Sequence, residues 1–264
     1  MAALPELLEL VNSAAGRRPP LRATVRTWRD LSLQSEAAED HLHQLGLDPS
    51  VSGTVMCSSP RLEGEFCHTE RLSLGKNGAF RVDPDEPDFL FRRATVSDGE
   101  STWLATRPGK YEKRPASGLT SEAATLFLPS WLAGYDWGEP APTVGAGGRE
   151  AWRLHATTGP LGGLTCHVAA PEDVVVSTDA GLGFLHRVEW LFRGGPYSVI
   201  ELLDTELDAQ FGEGTFRVDK KSVVFDLQGW HRRLDRPAFP VRAYRAAERT
   251  YRSVRRQRDW GPPG

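Results

Sequence analysis

The sequence has little cysteine and no long apolar segment. It holds three cysteines in 264 residues, an odd and sparse set that does not form a disulfide framework, so reduced thiols are favoured. No stretch approaches the roughly 18 apolar residues that read as a membrane-spanning helix. The start carries no early Lys or Arg, and Glu6 and Glu9 interrupt its apolar run. A secretory signal has a positive start and an unbroken apolar core, so the sequence predicts a cytoplasmic protein.

The common motifs of catalytic and metal centres are also missing. Cys67-His68 and Cys166-His167 are the only Cys/His pairs. Because adjacent strand residues face opposite sides of a sheet, each pair offers at most one ligand to either face. The glycine clusters at 145–148 and 159–163 lack the Gly-Lys-Ser/Thr ending of a phosphate loop, and no Gly-x-Ser-x-Gly elbow occurs. We therefore expect no enzyme activity, no catalytic residues, no metal site and no cofactor.

What remains is an ordinary globular composition, with 39% hydrophobic residues, 25% charged residues and a net charge of -3. A chain of this length can bury a sizeable core without disulfides or metals. A disordered or fibrous chain is excluded, and nothing in the overall charge points to a polyanionic partner.

From residue 61 onward, short apolar runs alternate with turn signals. Asn77-Gly78 and Asp98-Gly99 are strong two-residue hairpin signals, and Gly194-Gly195 is a further tight-turn signal. About ten strands joined by hairpins, with two or three helices, predict a mainly β (α+β) fold of the sandwich or barrel type. The regular β–α–β alternation of a parallel sheet is absent.

Three segments have helical composition. An amphipathic helix is expected at the N-terminus up to Arg17, followed by a long strand over 21–33 and a helix over 35–45. The segment 120–134 is apolar on nearly all sides, with Pro129 placed to kink or split its helix. Such a segment suits a buried element or one that covers a cavity.

One predicted strand has an aromatic face and a charged face. In 183–193, alternate positions hold Phe184, His186, Val188, Trp190 and Phe192, and the positions between them are largely charged. The strand around Trp152 has the same pattern. In most β proteins such a face is half of the core. It becomes a pocket wall only where the sheet is concave and loosely covered.

Two segments resemble the LolA-like lipoprotein-carrier family. The first runs from Phe80-Arg-Val-Asp83 through Pro87 to the Ser97-Asp98-Gly99 hairpin and Trp103. The second begins at Val174-Val-Val-Ser-Thr-Asp179-Ala-Gly181 and continues through Leu185-His-Arg-Val-Glu189 and Ser198-Val-Ile-Glu-Leu-Leu-Asp204 to Phe216-Arg217. The resemblance covers most of residues 5–218.

The resemblance implies a single domain over 1–228. Its fold would be an unclosed antiparallel β half-barrel of about ten strands, with helices covering the concave face. The concave apolar face of such proteins takes acyl chains of lipoproteins or lipids. On this reading 120–134 is a lid or plug, and the arginine that latches the lid in the family has Arg26 and Arg29 as candidates.

The remaining residues, 229–264, form a basic tail. Over 240–259, apolar residues at spacings of three and four predict an amphipathic helix. Its arginines include Arg245, Arg249, Arg252 and Arg256. Such a helix can dock its apolar stripe on the domain, or it can contact an anionic membrane or an acidic protein. A nucleic-acid partner is the least favoured alternative.

The leading hypothesis is a non-enzymatic binding or carrier protein for a hydrophobic small molecule or lipid. The expected wall and lid residues are Trp28, Trp103, Phe127, Trp131, Trp152, Phe184, Val188, Trp190 and Phe192. The alternative is a protein- or membrane-interaction module with a filled core and contact through the basic tail. An enzyme built on His155, His186 or Cys166 is the third alternative, since catalytic groups assemble in space rather than in sequence.

Overall fold

The computed structural model of the chain describes most of the predicted domain and none of the basic tail. The described residues are 4–17, 19–44, 63–87, 93–116, 118–119, 121–127, 131–132, 135–158, 173–219 and 221–226. The tail beyond 226, with the four arginines predicted for membrane or acidic-protein contact, lies outside them, as do Cys57 and Cys166. The division into 1–228 and 229–264 therefore stays a prediction.

The described residues form three α-helices and a sheet of 13 strands. The helices are α1 (Leu4–Arg17), α2 (Leu31–Gln44) and α3 (Ala124–Phe127). The strands are β1 (Leu21–Asp30), β2 (Glu65–Leu74), β3 (Phe80–Pro84), β4 (Thr95–Ser97), β5 (Ser101–Arg107), β6 (Lys110–Pro115), β7 (Tyr135–Trp137), β8 (Ala141–Val144), β9 (Glu150–Thr158), β10 (Asp173–Asp179), β11 (Leu185–Phe192), β12 (Gly195–Leu207) and β13 (Val223–Asp226).

The sheet is a single unclosed layer. Its strand order is β13-β6-β5-β4-β3-β2-β1-β12-β11-β10-β9-β7, and β8 pairs with β9 beside β7. The pairing of β13 with β6 is parallel, and the other pairings of the described strands are antiparallel. The prediction of a mainly β, unclosed antiparallel fold is confirmed.

Most of this sheet consists of two runs of strands that pair in chain order. The strands β1 to β6 form one run, with α2 between β1 and β2, and β9 to β12 form the other. The runs join where β1 pairs with β12, from Leu21 opposite Leu207 to Arg29 opposite Ser198. We call this pairing the β1–β12 seam.

The two faces of the sheet differ in burial because strand side chains alternate. On β1, Leu21, Ala23, Val25 and Thr27 are buried. We call their side the inner face and the opposite side the outer face. The inner side chains pack with residues of α1 and α3 in one hydrophobic core.

The predicted hairpin turns at Asn77-Gly78 and Asp98-Gly99 are confirmed. Asn77 (φ 57°) and Gly78 (φ 76°) join β2 to β3, and Gly99 (φ 93°) lies between β4 and β5. The tight turn predicted at Gly194-Gly195 lies one residue earlier, at Arg193 (φ 49°) and Gly194 (φ 78°). Each of these turns needs backbone in the left-handed region.

Two sequence expectations are wrong in their limits. The long strand over 21–33 ends at Asp30, because Asp30 Oδ1 accepts a hydrogen bond from the backbone N–H of Leu33 at 2.9 Å and caps α2. The sequence also predicts two strands, over 61–69 and 70–74, whereas the structure has the continuous β2. In 120–134 the structure describes a helix over Ala124–Phe127; the predicted kink at Pro129 lies outside the described residues, so the full extent of this helix stays a prediction.

Gly183 supports the contact between α1 and the turn from β10 to β11. Its φ is +76°, and a Cβ at this position would lie 2.6 Å from the carbonyl oxygen of Leu10 in α1. The turn therefore depends on glycine for its backbone conformation and for the close approach of the helix.

We predict that Gly183→Ala lowers the free energy of unfolding by about 1–2 kcal/mol for the left-handed backbone, with about 1–3 kcal/mol more for the clash. The matched control is Gly194→Ala, where φ is +78° and nothing lies within 4 Å of the added Cβ. Urea unfolding of both variants gives the difference. Equal losses would show that the packing of α1 against this turn contributes nothing.

Candidate functional site

The aromatic residues expected to line a cavity lie mostly in the core of the inner face. Those in the core or packed against it are Phe127, Trp131, Trp152, Phe184, Val188, Trp190 and Phe192. The Trp131 and Trp190 ring centroids are 5.7 Å apart, and those of Phe127 and Phe184 are 5.8 Å apart. The sequence pattern thus identified residues that meet in space. Whether they contact a ligand stays a proposal.

Trp28 and Trp103 lie on the outer face, opposite to what the cavity expectation requires. Trp28 lies two residues after the exposed Arg26 on β1 and therefore faces the same side of the sheet. Its indole N–H donates to Glu65 at 3.2 Å. Trp103 pairs across the sheet with Lys113, whose ammonium lies 5.8 Å from its ring centroid. Aromatic residues with a polar tip occupy a solvated face readily.

The inner face is covered in part by residues 121–127 and 131–132, which we call the plug segment. Leu126 and Phe127 of this segment are almost fully buried, and Leu132 is 4% exposed. The indole N–H of Trp131 donates to the carbonyl oxygen of Thr125 at 3.1 Å, which holds the two parts together. The plug segment therefore packs as part of the core.

Two polar contacts tie the plug segment to the sheet. The backbone N–H of Ala123 donates to Glu70 Oε1 at 3.1 Å, and Arg29 Nη2 pairs with Glu122 Oε1 at 2.5 Å. Of the two candidate latch arginines, only Arg29 reaches this segment, since Arg26 pairs with Glu201 on the outer face.

Glu70 is a buried carboxyl group of the inner face. It is 5% exposed on β2, between the inner positions of Leu72 and His68. Burial raises the pKa of Glu70 to about 7, and the hydrogen bond from Ala123 offsets only part of that rise. The contact between sheet and plug segment therefore contains a proton that titrates near neutral pH.

A polar cluster that the sequence did not reveal lies at the turn after β10. Asp179 Oδ2 accepts from Arg149 Nε at 2.6 Å and lies 3.4 Å from Nε2 of the buried His186. Asp179 Oδ1 accepts backbone N–H groups of the same turn, from Gly181 at 2.9 Å and Leu182 at 2.7 Å. Burial alone raises the pKa of Asp179, but these donors outweigh it, and the pKa lies below its usual range.

His186 reaches this cluster because of a β-bulge. The register of β10 and β11 shifts between Ser177 opposite Arg187 and Thr178 opposite Leu185, which leaves His186 as the extra residue. Its Nδ1 accepts the backbone N–H of Ala146 at 3.2 Å. The strict alternation assumed for 183–193 could not show this. Both partners of the ring belong to the surrounding turns, so the cluster reads as structural.

The outer face carries charged side chains over β1, β2, β3 and β12. A cavity of about 850 Å³ there includes Arg22, Arg71, Arg81 and Asp204 in its lining. Arg22 pairs with Glu206 at 3.1 Å. Opposite charges alternate across the strands, which is typical of a solvated sheet face.

In the described part of the chain, no group of three His, Cys, Asp or Glu residues is placed to hold a metal ion. No described helix has the length and apolar character to cross a membrane. Cys67 is a free, exposed thiol.

Comparisons with known proteins add a likeness of fold. No protein-family model matches the chain, and no curated protein matches it. An uncharacterized conserved protein from Thermus thermophilus is 13% identical with a TM-score of 0.45, over 84% of this chain and 98% of that one. MucB in the MucA/MucB complex of Pseudomonas aeruginosa is 13% identical with a TM-score of 0.47, over 83% of this chain and 62% of that one.

A LolA superfamily protein from Nitrosomonas europaea is 11% identical with a TM-score of 0.33, over 82% of this chain and 98% of that one. Its superfamily is the one that the hairpin segments of this sequence resemble. Likeness at this level concerns the fold alone.

We predict that the free energy of unfolding falls as the pH rises from about 4.5 to about 7, because the folded protein holds the Glu70 proton more tightly than the unfolded chain. The change is about 3 kcal/mol at most. The fall in the free energy of unfolding is complete once the pH exceeds the pKa of Glu70 in the folded protein. Glu70→Gln should remove this slope.

Urea unfolding at several pH values measures the effect, with the exposed Glu63→Gln as the matched control. If Glu70→Gln and Glu63→Gln kept the same slope, the Glu70 carboxyl would be ionised in the folded protein across this range.

Proposed function

We propose that this protein is a non-enzymatic carrier that binds a hydrophobic small molecule or lipid on the inner face of its sheet. The observation that carries the proposal is the way this face is covered. It is lined by aromatic side chains, and opposite Phe184 and Trp190 lies a short segment held to the sheet by two polar contacts. The cytoplasmic location predicted from the sequence belongs to the same proposal.

An apolar ligand would take the place of plug-segment side chains. Phe184 and Trp190 now contact Phe127 and Trp131, and a hydrocarbon chain offers the same kind of contact. Binding would therefore exchange one apolar partner for another, and each Å² of additional apolar area buried stabilises the complex by about 25 cal/mol. The main cost is moving Phe127 and Trp131 away from the sheet while the contacts of Glu70 and Arg29 restrain the rest of the plug segment.

A protein- or membrane-interaction module with a filled core is the second candidate. The ring contacts of the inner face favour it, since they fill space that a carrier would need open in the bound state. The predicted contact through Arg245, Arg249, Arg252 and Arg256 lies outside the described residues. If the protein is such an interaction module, it should bind anionic vesicles or an acidic protein and should take up no apolar probe.

Native mass spectrometry of the freshly purified protein, followed by solvent extraction, tests for a bound lipophilic molecule. Uptake of an environment-sensitive apolar dye such as 1-aminoanthracene tests the stripped protein. We expect saturable uptake. A clean apo mass together with no uptake would contradict the carrier function and favour the interaction module.

We predict that Glu122→Gln increases dye affinity about fivefold, because a partly exposed ion pair contributes up to about 1 kcal/mol to keeping the plug segment in place. The matched control is Glu206→Gln, which breaks the pair with Arg22 on the outer face. Dye titrations of the two variants give the comparison. Equal affinities would show that the Arg29 contact does not restrain the plug segment.

A further inference from the structure

Among the buried side-chain atoms that have no hydrogen-bond partner within the described residues, four lie at neighbouring positions of the inner face. They are Thr27 Oγ1, Arg29 Nε, Trp190 Nε1 and Ser198 Oγ. Thr27 and Ser198 are fully buried, and Trp190 is 3% exposed. Buried polar groups are nearly always hydrogen-bonded, because an unmet group loses its hydration without replacement. Four unmet groups in one region therefore point to a missing component.

These atoms belong to neighbouring positions of three adjacent strands. Arg29 of β1 is opposite Ser198 of β12, and Ser198 is opposite Trp190 of β11. Thr27 precedes Arg29 by one inner position on β1. Directly opposed side chains in a sheet have Cβ atoms about 5 Å apart, so one ligand group can reach several of them. We call these four residues the donor row.

The chemistry of the donor row defines its ligand group. The nitrogens of Trp190 and Arg29 can only donate hydrogen bonds, and the hydroxyl groups of Thr27 and Ser198 can donate as well. The missing group must therefore supply several acceptor oxygens and needs no donor of its own. Carbonyl, ester, carboxylate and phosphate oxygens meet this requirement, whereas a hydrocarbon does not.

The charges near the donor row indicate whether the ligand group is anionic or uncharged. The guanidinium of Arg29 already pairs with the carboxylate of Glu122, so its positive charge is balanced. Glu70 contributes a second carboxyl group on the neighbouring strand, opposite Val25. An anionic headgroup would add negative charge to a buried site that already holds these two acids.

From this geometry we propose that the inner face recognises an uncharged acyl ester, with its two ester oxygens accepting hydrogen bonds from the donor row. The assignment rests on the proposed carrier function, and it adds a headgroup to what would otherwise be a purely apolar ligand. The hydrocarbon chain lies along the aromatic side chains around Phe184, and the ester lies at the β1–β12 seam.

The test compares three competitors of equal chain length for displacement of 1-aminoanthracene: methyl palmitate, palmitic acid and hexadecane. We expect methyl palmitate to displace the dye at a concentration at least about tenfold lower than hexadecane, which two hydrogen bonds readily supply. Palmitic acid, measured above pH 8 where it is ionised, should compete less well than the ester.

Trp190→Phe and Ser198→Ala should each reduce the preference for ester over hydrocarbon about fivefold. The matched control is Ser177→Ala on the outer face, which should leave this ratio unchanged.

The outcomes separate the two proposals. Dye uptake with equal competition by ester and hydrocarbon would overturn the ester assignment and leave the carrier function standing. Stronger competition by ionised palmitate than by the ester would also overturn it. Absence of dye uptake by the folded protein would remove the carrier function and the ester assignment together.

Discussion

The structure depends on one constraint: a single sheet has two faces, and within the described residues the helices pack on the inner one. Strand side chains alternate, so the row of Leu21, Ala23 and Val25 on β1 is matched by a charged row on the other side. The outer face is compatible with water because its charges pair across strands. The inner face must be covered by chain drawn from other parts of the sequence.

That cover is discontinuous, and its contacts are of two kinds. The helix α1 packs through apolar residues and approaches the sheet closely at Gly183. The plug segment combines apolar packing with the buried contacts of Glu70 and Arg29. Removing one partner of a buried contact of a charged group is costly, so these contacts restrain the plug segment, whereas α1 is held by apolar packing.

The fold could be predicted from the sequence where local chemistry determines it. Asn77-Gly78 specifies a hairpin whatever surrounds it, and the alternation around Val188 identifies a buried face correctly. The features that could not be predicted from the sequence depend on the register between strands that are distant in the chain. The bulge that moves His186 toward Asp179 leaves no recognisable pattern of residue types in the sequence. The sheet faces on which Trp28 and Trp103 lie follow from the pairing of their strands with other strands.

In the candidate site, too, some features follow from local composition and others only from the pairing of distant strands. Aromatic composition identified Trp131 and Trp190, which meet at 5.7 Å. The donor row became visible only through pairing, since Arg29 is far in the chain from Ser198 and Trp190 and each residue is unremarkable alone. A serine in a strand or an arginine at a strand end carries no signal until its neighbours across the sheet are known.

The β1–β12 seam has a consequence for the order in which the chain folds. Arg26 and Glu201, which pair across it, are 175 residues apart, whereas within β1 to β6 and within β9 to β12 each strand pairs with its neighbour in the chain. Closing so long a loop has an entropic cost, and contacts of high sequence separation slow folding. During synthesis the first run of strands leaves the ribosome long before β12 does. The seam edge of β1 therefore stays exposed through most of translation, and a delay at that stage favours pairing with other chains.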